Sequence, residues 1–214
     1  MKKHIIAILL FICSLVLWII NFHDLPSQLP VHWDFSGNVN NYDSKMQTFI
    51  ELHALMLFVY LLPVITPKID PRKENYKLFQ RSLYFMATGI LFIFFLINMG
   101  VLFYGLGYDV HIGSMSFLFI GLLFMFLGNY MPHVRSNYFI GVRTPWTLSN
   151  ENVWKKTHRV SGKLFMMIGF CFLFLYFIPL NNKGIIVIPL IILLVGFPTI
   201  YSYIAFKKEM KNLN

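Results

Sequence analysis

Six apolar runs, separated by polar segments, make up most of this chain of 214 residues. Each run is close to the roughly 20 residues that a helix needs to cross the hydrocarbon core of a bilayer. The first run lacks a small-residue cleavage site, so we expect it to be retained as a helix rather than removed as a signal peptide. Because a bilayer offers no hydrogen-bond partners to the backbone, such spans are helical. The pattern predicts an all-α integral membrane protein, a six-helix transmembrane bundle over residues 5–22, 47–65, 83–104, 112–131, 164–180 and 185–206.

The polar segments define the organisation of this bundle. We expect a single membrane domain, residues 1–214, that begins with a two-span unit over residues 1–65. Its outer loop, residues 23–47, is rich in turn-forming residues and predicts a folded loop or a short hairpin. Pro67 and Pro71 are expected to end the second span, because proline removes a helical hydrogen bond. A four-span part follows, residues 66–111 and 112–214, and it contains a long cytoplasmic motif loop, residues 128–163.

The basic residues are divided unevenly between the two sides of the predicted bundle. With six spans and a cytoplasmic N-terminus, sixteen of the eighteen Lys and Arg residues lie on the cytoplasmic side. Only Lys45 and Lys183 then lie outside. An excess of basic residues in cytoplasmic loops determines the orientation of membrane proteins. We therefore expect a multi-pass protein with both termini in the cytoplasm.

Composition agrees with a membrane protein and narrows the function classes. Hydrophobic residues make up 57% of the chain, charged residues make up 13%, and the mean hydropathy is +0.63, so a soluble fold would expose large apolar patches. The formal net charge of +9 comes from short clusters between apolar runs, which is typical of topology signals and does not indicate direct nucleic-acid binding. Cys13 and Cys171 lie inside apolar runs, where we expect packing roles. No cofactor is implied.

The second half of the motif loop predicts an amphipathic cytoplasmic helix before span five. Ser149 or Asn150 is suited to cap this helix. On a helical wheel, one arc holds Val153, Trp154, Thr157, Val160, Ser161 and Leu164, and the opposite arc holds Lys155, Lys156, Arg159 and Lys163. Two roles are open for the basic arc: an interfacial anchor that faces anionic lipid, or a docking surface for a cytoplasmic partner.

The first half of the motif loop combines a turn glycine, a planar cation and a rigid proline corner, namely Gly141, Arg143 and the sequence Thr144-Pro145-Trp146. An arginine fork suits carboxylate, phosphate or carbonyl oxygens. One hypothesis is structural: Arg143 ties the loop to helix C-terminal carbonyls or to Glu151, with Trp146 and Trp154 as interfacial wedges. The other hypothesis places Arg143 and Trp146 in the docking surface.

Polar and aromatic side chains also cluster near the outer end of the second span. They are His32, Trp33 and Asp34 in the outer loop, with Glu51 and His53 near the start of the span. Ionisable groups at this depth are costly and by default indicate function. Two interpretations are open: a structural hydrogen-bond network that seals the loop onto the bundle, and a ligand-binding or proton-responsive pocket. Glu51 and His53 are about 200° apart on a helix and should not share a face. Because no close-set pair of ligands stands on one face, no metal site is predicted.

Other function classes have weaker support in the sequence. The chain contains no nucleophile elbow, no phosphate-binding glycine loop and no metal-binding helix motif, so we do not expect an enzyme. A small-solute or proton-coupled transporter is the alternative function, because Pro189, Gly196 and Pro198 are able to interrupt the sixth span. Gly and Pro are also ordinary in membrane helices, and no internal repeat is visible.

Several residues of the motif loop resemble the signature of the SdpI family. They are Asn129, Asn137, Ile140, Gly141, the run Arg143-Thr144-Pro145-Trp146-Thr147-Leu148, and Val153, Trp154, Lys155, Thr157, His158 and Arg159. The outer loop resembles an N-terminal motif of the same family through Pro30, His32, Trp33, Gly37, Ser44 and Lys45. Together the two resemblances cover most of the chain.

This resemblance implies a function, partners and a site. A member of the family would be a six-span immunity protein of the bacterial cell membrane, which protects the producing cell against the secreted Sdp cannibalism toxin. The founding member also relays toxin presence inward by holding a transcriptional repressor at the membrane. The implied partners are the lipid bilayer, a secreted peptide toxin outside and a transcriptional repressor inside. The implied cytoplasmic motif residues are Asn129, Asn137, Gly141, Arg143, Thr144, Pro145, Trp146, Trp154, His158 and Arg159.

Overall fold

The computed structural model describes residues 4–179 and 182–212. Lys2, Lys3, residue 180 at the predicted end of the fifth span, and both chain ends lie outside these residues. A helix, a β-hairpin and six further helices follow one another: α1 Ile5–Asn21, β1 Gln28–Trp33, β2 Val39–Ser44, α2 Lys45–Ile69, α3 Lys73–Gly105, α4 Ile112–Tyr130, α5 Pro145–Ser149, α6 Glu151–Phe177 and α7 Gly184–Lys211. A 3₁₀ turn, Met131–His133, extends α4.

Five of these helices are long and apolar enough to cross a membrane: α2, α3, α4 with its 3₁₀ extension, α6 and α7. α1 is also apolar, but its 17 residues make it shorter than the other five. α1 is packed against α2 and α3 through buried Ala7, Ser14 and Trp18. The chain is therefore a multi-pass helical membrane protein. We call the end of the bundle that carries β1 and β2 the hairpin end, and the opposite end the motif end.

The prediction that residues 66–82 separate the second and third spans as a loop is wrong. α2 continues through Pro67 to Ile69, and α3 already begins at Lys73. Membrane helices tolerate proline where neighbouring hydroxyls and helices satisfy freed backbone groups. Here Pro67 lies in the last turn of α2, so the only helical hydrogen bond that it removes is the one to the carbonyl of Pro63. The two helices are consequently joined by a short, well-defined link.

The outer loop forms a β-hairpin, which confirms one of its two predicted conformations. β1 and β2 pair in antiparallel fashion, with an irregular register around His32. Leu29 is fully buried beneath the hairpin. Gly37 turns the chain with a φ of +89°, and its carbonyl lies so close to Gly113 of α4 that a Cβ atom there would collide with it. The hairpin is therefore packed directly onto the start of α4.

The backbones of α4 and α6 approach each other at pairs of glycines. A Cβ atom on Gly128 would lie 2.6 Å from the carbonyl oxygen of Gly162, and the reverse contact is equally short. The same arrangement recurs two turns away between Gly121 and Gly169, at 2.8 and 2.7 Å. Small residues that let backbones touch are a common basis of helix association in membranes. Glycine at these positions therefore fixes the distance between α4 and α6.

Residues 151–163, capped by Asn150, are the first part of α6 rather than a separate helix, because no break separates them from the predicted fifth span. Their buried side holds Val153, Trp154, Thr157 and Ser161, whereas Lys155, Lys156, Arg159 and Lys163 are exposed. Trp154 packs inside the protein, against Tyr76, Phe79 and Val134. This part of α6 thus packs against both the bundle and the motif loop.

Candidate functional site

The motif loop folds around the side chain of Asn137, which is fully buried. Its Oδ1 accepts hydrogen bonds from the N–H groups of Phe139 (2.8 Å) and Ile140 (2.7 Å). Its Nδ2 donates to the carbonyls of Arg135 (2.8 Å) and Ile140 (3.0 Å). One amide therefore satisfies four backbone groups that the turn would otherwise leave unpaired. The side chains of Tyr138 and Phe139 are exposed at the surface of this turn.

A second buried side chain, Asp70, joins this turn to the link between α2 and α3. Its Oδ2 accepts from the N–H of Tyr138 (2.8 Å) and the hydroxyl of Tyr76 (2.9 Å). Its Oδ1 accepts from the N–H of Arg72 (2.7 Å). Burying a carboxylate is costly unless donors of this kind surround it. Asp70 therefore holds the start of α3 and the motif loop in a single arrangement.

Arg72 and Asn75 of the same region clamp the loop from the side. The guanidinium of Arg72 donates to the hydroxyl of Ser136 and to the carbonyl of Leu148 (2.7 Å), and it stacks 5.0 Å from the ring centre of Tyr138. Asn75 donates to the carbonyl of Ser136 (2.7 Å). Since Ser136 and Leu148 lie near opposite ends of the loop, both ends are held by the start of α3.

His158 is enclosed between the loop and α6. Gly141, with a φ of +105°, lies against its ring and leaves no room for a Cβ atom. The N–H of Val142 donates to Nε2 (3.1 Å), so the ring proton sits on Nδ1 and is donated to the carbonyl of Trp154 (2.9 Å). Trp154 stacks on the ring, with centroids 4.1 Å apart, and donates to the carbonyl of Val134 (2.8 Å). Both rings are fully buried, so the proposed interfacial role of Trp154 is wrong.

The proline corner packs the loop onto α7. Thr144 and Thr147 cap α5 reciprocally: the N–H of Thr147 donates to Oγ1 of Thr144 (3.2 Å), and the N–H of Thr144 donates to Oγ1 of Thr147 (2.9 Å). Oγ1 of Thr144 also lies 2.9 Å from the hydroxyl of Ser202. The ring of Trp146 packs on Tyr203, with centroids 5.0 Å apart. The corner therefore fixes α5 against the last part of α7.

Three further motif residues are exposed. Arg143 donates to the carbonyl of Tyr138 (2.7 Å) and binds neither a helix end nor Glu151, which pairs with a lysine of α6. Asn129 lies exposed in the last turn of α4 and takes no part in the hydrogen bonds of the buried cluster. Arg159 is exposed on α6. The motif thus contains a buried network and a few surface side chains.

At the hairpin end, the predicted constellation is divided among different surroundings. His53 is buried between α1 and α2, where its Nε2 lies 3.0 Å from the hydroxyl of Ser14. Glu51 is exposed and accepts from Gln47 within α2 (2.9 Å). The two residues occupy different faces of α2, as their spacing predicts. His53 is a packing residue with satisfied hydrogen bonds, not part of an open pocket.

His32 and Asp34 serve the hairpin itself. Nδ1 of His32 lies 2.6 Å from Oδ1 of Asn40 on the opposite strand. Asp34 accepts from the N–H groups of Ser36 (2.8 Å) and Asn38 (2.9 Å), and the backbone hydrogen bond from Asn38 lowers the pKa of its carboxyl. Within residues 4–179 and 182–212, no group of three or more His, Cys, Asp or Glu side chains is placed to hold a metal ion.

Trp33 lines an open cleft between the hairpin turn and the α3–α4 turn, which we call the hairpin cleft. Its volume is 360 Å³, and Tyr104, Tyr108 and Asp109 also line it. The other four residues of the predicted constellation do not line this cleft. A neighbouring cleft of 470 Å³ shares Asp109 and the following residues of the α3–α4 turn. The structure therefore offers a ligand-sized space at the hairpin end, but with a different lining from the one predicted.

The matches to known protein families fall in the same two regions, the motif end and the hairpin end. The model of the SdpI/YfhL protein family matches residues 133–202, which include most of the motif loop, α5, α6 and much of α7. A second model, described as a domain of unknown function (DUF1648), matches residues 9–57 around the hairpin. The chain is 31% identical to the Immunity protein SdpI of Bacillus subtilis (strain 168) over 209 residues, which are 97% of this chain and 98% of that protein. The chain belongs to the SdpI/YfhL protein family. No solved structure matches the chain.

Family membership confirms the resemblance drawn from the motifs, and the geometry explains most of the SdpI motif as a buried network. Four members of that network were not found from the sequence and lie outside the residues that the SdpI/YfhL model matches: Asp70, Arg72, Asn75 and Tyr76. Their only signal was an acidic residue, Asp70, five positions beyond the predicted end of the second span. Their partners lie more than sixty residues away, as with Asp70 and Tyr138, so local spacing does not reveal the contact.

The buried carboxylate gives the first testable prediction. Asp70→Ala leaves the N–H groups of Arg72 and Tyr138 without an acceptor, whereas the Tyr76 hydroxyl keeps Asn137 as a weaker one (3.3 Å). We expect a loss of about 3 kcal/mol or more, because each hydrogen bond to a charged group contributes about 1.5–3 kcal/mol. The unfolding midpoint of the purified protein in detergent measures this loss. Asp109→Ala removes an exposed carboxylate at the hairpin end and should leave the midpoint unchanged. Equal midpoints for Asp70→Ala and the parent protein would contradict the assigned role.

Proposed function

We propose that this protein is a membrane immunity protein that protects the cell in which it is made against a secreted antimicrobial peptide toxin. The observation that carries the proposal is its 31% identity to the Immunity protein SdpI of Bacillus subtilis along almost the whole length of both chains. The similarity includes both the hairpin end and the motif end. The role we propose is binding and not chemistry.

We further propose that α1 is a sixth span and that both termini are cytoplasmic. At about 1.5 Å per residue, the 17 residues of α1 extend about 26 Å, which is near the lower limit for a hydrocarbon core of about 30 Å. The orientation rests on the basic residues: among those in residues 4–179 and 182–212, only Lys45 and Lys183 belong to the hairpin end. The hairpin end then faces outward, and the motif end faces the cytoplasm.

Labelling of single cysteines tests this topology. With Cys13 and Cys171 replaced by alanine, a membrane-impermeant maleimide should label Asn41→Cys in the hairpin of intact cells. Ser149→Cys in the motif loop should react only after permeabilisation. Protection of an N-terminal tag from external protease tests the span of α1. Labelling of Ser149→Cys but not Asn41→Cys in intact cells would reverse the orientation, and digestion of the tag would remove α1 as a span.

We propose that the toxin contacts the hairpin cleft. Trp33, Tyr104 and Tyr108 present aromatic rings there, and such rings supply apolar contact area with little loss of side-chain freedom. In the proposed topology the outer surface is also acidic, because it carries five carboxylates against two lysines: Asp24, Asp34, Asp43, Glu51 and Asp109 against Lys45 and Lys183. A surface of this kind attracts a cationic peptide with apolar side chains.

We propose that the motif loop relays toxin presence to a cytoplasmic transcriptional repressor. The Asn137 turn holds Tyr138 and Phe139 in exposed positions beside the cation of Arg143. A rigid surface of two aromatic rings and one cation suits a partner that offers an apolar groove and a carboxylate. Trp146 is excluded from this surface because its ring packs on Tyr203.

Survival of a toxin-sensitive strain that expresses the protein tests the immunity proposal. Under a challenge with the Sdp toxin, the parent chain should protect, whereas Trp33→Ala with Tyr108→Ala should raise sensitivity about tenfold or more, as expected for aromatic contacts at the centre of an interface. Asp24→Asn and Glu51→Gln change exposed hairpin-end residues outside the cleft and should still protect. Loss of protection in these two controls alone would move the site away from the cleft, and a parent chain that gives no protection would overturn the proposal.

The same cells test the relay. Phe139→Ser with Arg143→Ala should leave membrane abundance and protection intact while the repressor no longer co-purifies with the protein. Both substituted side chains are exposed, so the fold should survive. Unchanged co-purification would contradict the proposed docking surface. Loss of protection in proportion to loss of folded protein would instead assign these residues to the scaffold.

A further inference from the structure

A basic cleft opens between α6 and α7 at the motif end. Its volume is 340 Å³, and its lining consists of Asn152, Lys155, Lys156, Arg159, Val160 and Tyr201. Three cations therefore face a cleft whose remaining walls include an aliphatic and an aromatic side chain. Along α6 the lining spans about 12 Å, or roughly two helical turns. We call it the α6–α7 cleft.

The charges of the α6–α7 cleft are only partly balanced. Lys156 binds Glu209 of α7 (2.5 Å), and Lys155 lies 3.5 Å from Glu151. Asn152 also donates to Glu209 (2.8 Å), so this carboxylate is fully engaged. Arg159 forms no salt bridge and no hydrogen bond with any of the residues described in the structure. Its guanidinium offers a planar fork of donors, which matches the oxygens of a phosphate.

The surroundings of the cleft are those of a membrane protein surface. Beyond Arg159, the exposed side of α6 continues with Lys163 and then Met167, which is 66% exposed. On α7, Phe197 and Ile200 precede Tyr201 and are 38% and 62% exposed. A ligand with a phosphate in the cleft would therefore have apolar side chains beside it, toward the middle of both helices. This combination fits an anionic amphiphile better than a free anion.

We infer that the α6–α7 cleft binds the phosphate headgroup of an anionic phospholipid, with Arg159 as the main donor and Lys155 and Lys156 as supporting charges. The acyl chains lie along the exposed apolar side chains of α6 and α7. The bound lipid bridges the two helices next to the Lys156–Glu209 ion pair and so stabilises the motif end. This inference goes beyond immunity and requires neither a toxin nor a cytoplasmic partner.

Thermal unfolding of the purified full-length protein in detergent tests the inference. Phosphatidylglycerol should raise the unfolding midpoint in a saturable manner, whereas phosphatidylcholine with the same acyl chains should not. Arg159→Gln should increase the half-saturating concentration of phosphatidylglycerol about tenfold, because it removes a charge-assisted hydrogen-bond pair. Arg159→Lys should have a half-saturating concentration between those of the parent and Arg159→Gln, since a lysine is a point charge without the planar fork.

Arg81→Gln is the matched control, because it removes an exposed arginine from α3, outside the cleft, where its contact is the ring of Phe85. It should bind phosphatidylglycerol like the parent. Equal stabilisation by both lipids, or an unchanged half-saturation in Arg159→Gln, would overturn the inference. Full stabilisation by inorganic phosphate at the same concentration would assign the cleft to a free anion. If Arg159→Gln binds phosphatidylglycerol like the parent but no longer co-purifies with a cytoplasmic protein, the cleft would be assigned to protein docking.

Discussion

The backbones of α4 and α6 touch at Gly128 and Gly162, and the motif loop begins and ends on these two helices. Their separation sets whether Trp154 on α6 reaches the carbonyl of Val134 just after α4. It also sets the position of the ring of His158, whose Nε2 accepts a hydrogen bond from the backbone N–H of Val142 in the loop. No side chain other than hydrogen fits between the two backbones, so the geometry of the loop depends on a steric constraint inside the bundle.

The buried network of the motif end divides the SdpI motif into a scaffold and a surface. The scaffold consists of buried side chains that form hydrogen bonds with the backbone of the loop and its helices: Asn137, Thr144, Trp154 and His158. Polar groups left unpaired at such depth would be costly. The exposed part of the motif end is the small set around Arg143 together with the basic side of α6. The hairpin end has a similar division, since His32 and Asp34 maintain the hairpin while the open space lies beside Trp33. Residue types that suggest chemistry are thus largely used to hold the hairpin and the motif loop in their conformations.

The sequence predicted the elements well and their contacts poorly. Apolar runs located the long helices, and turn residues indicated the hairpin, because both signals depend on neighbouring positions. The end of α2 was misplaced because Pro67 is tolerated inside a membrane helix, where other groups serve the backbone. The network around Asp70 and the contact of Thr144 with Ser202 join distant segments, so tertiary packing decides them. The separation of His53 from His32 likewise follows from the packing of α1 against α2, which spacing along the chain does not specify.

The dependence of the motif loop on the α4–α6 contact is tested most directly by comparing Gly162→Ala with Gly196→Ala. A Cβ atom at residue 162 meets the Gly128 backbone at 2.6 Å, whereas one at residue 196 has open space. Gly162→Ala should lower the unfolding midpoint, because the overpacking cost of about 1–3 kcal/mol exceeds the gain of about 1 kcal/mol in helix propensity. It should also speed the amide hydrogen exchange of residues 138–147. Gly196→Ala should do neither. Equal midpoints and equal exchange in the two variants would contradict the dependence.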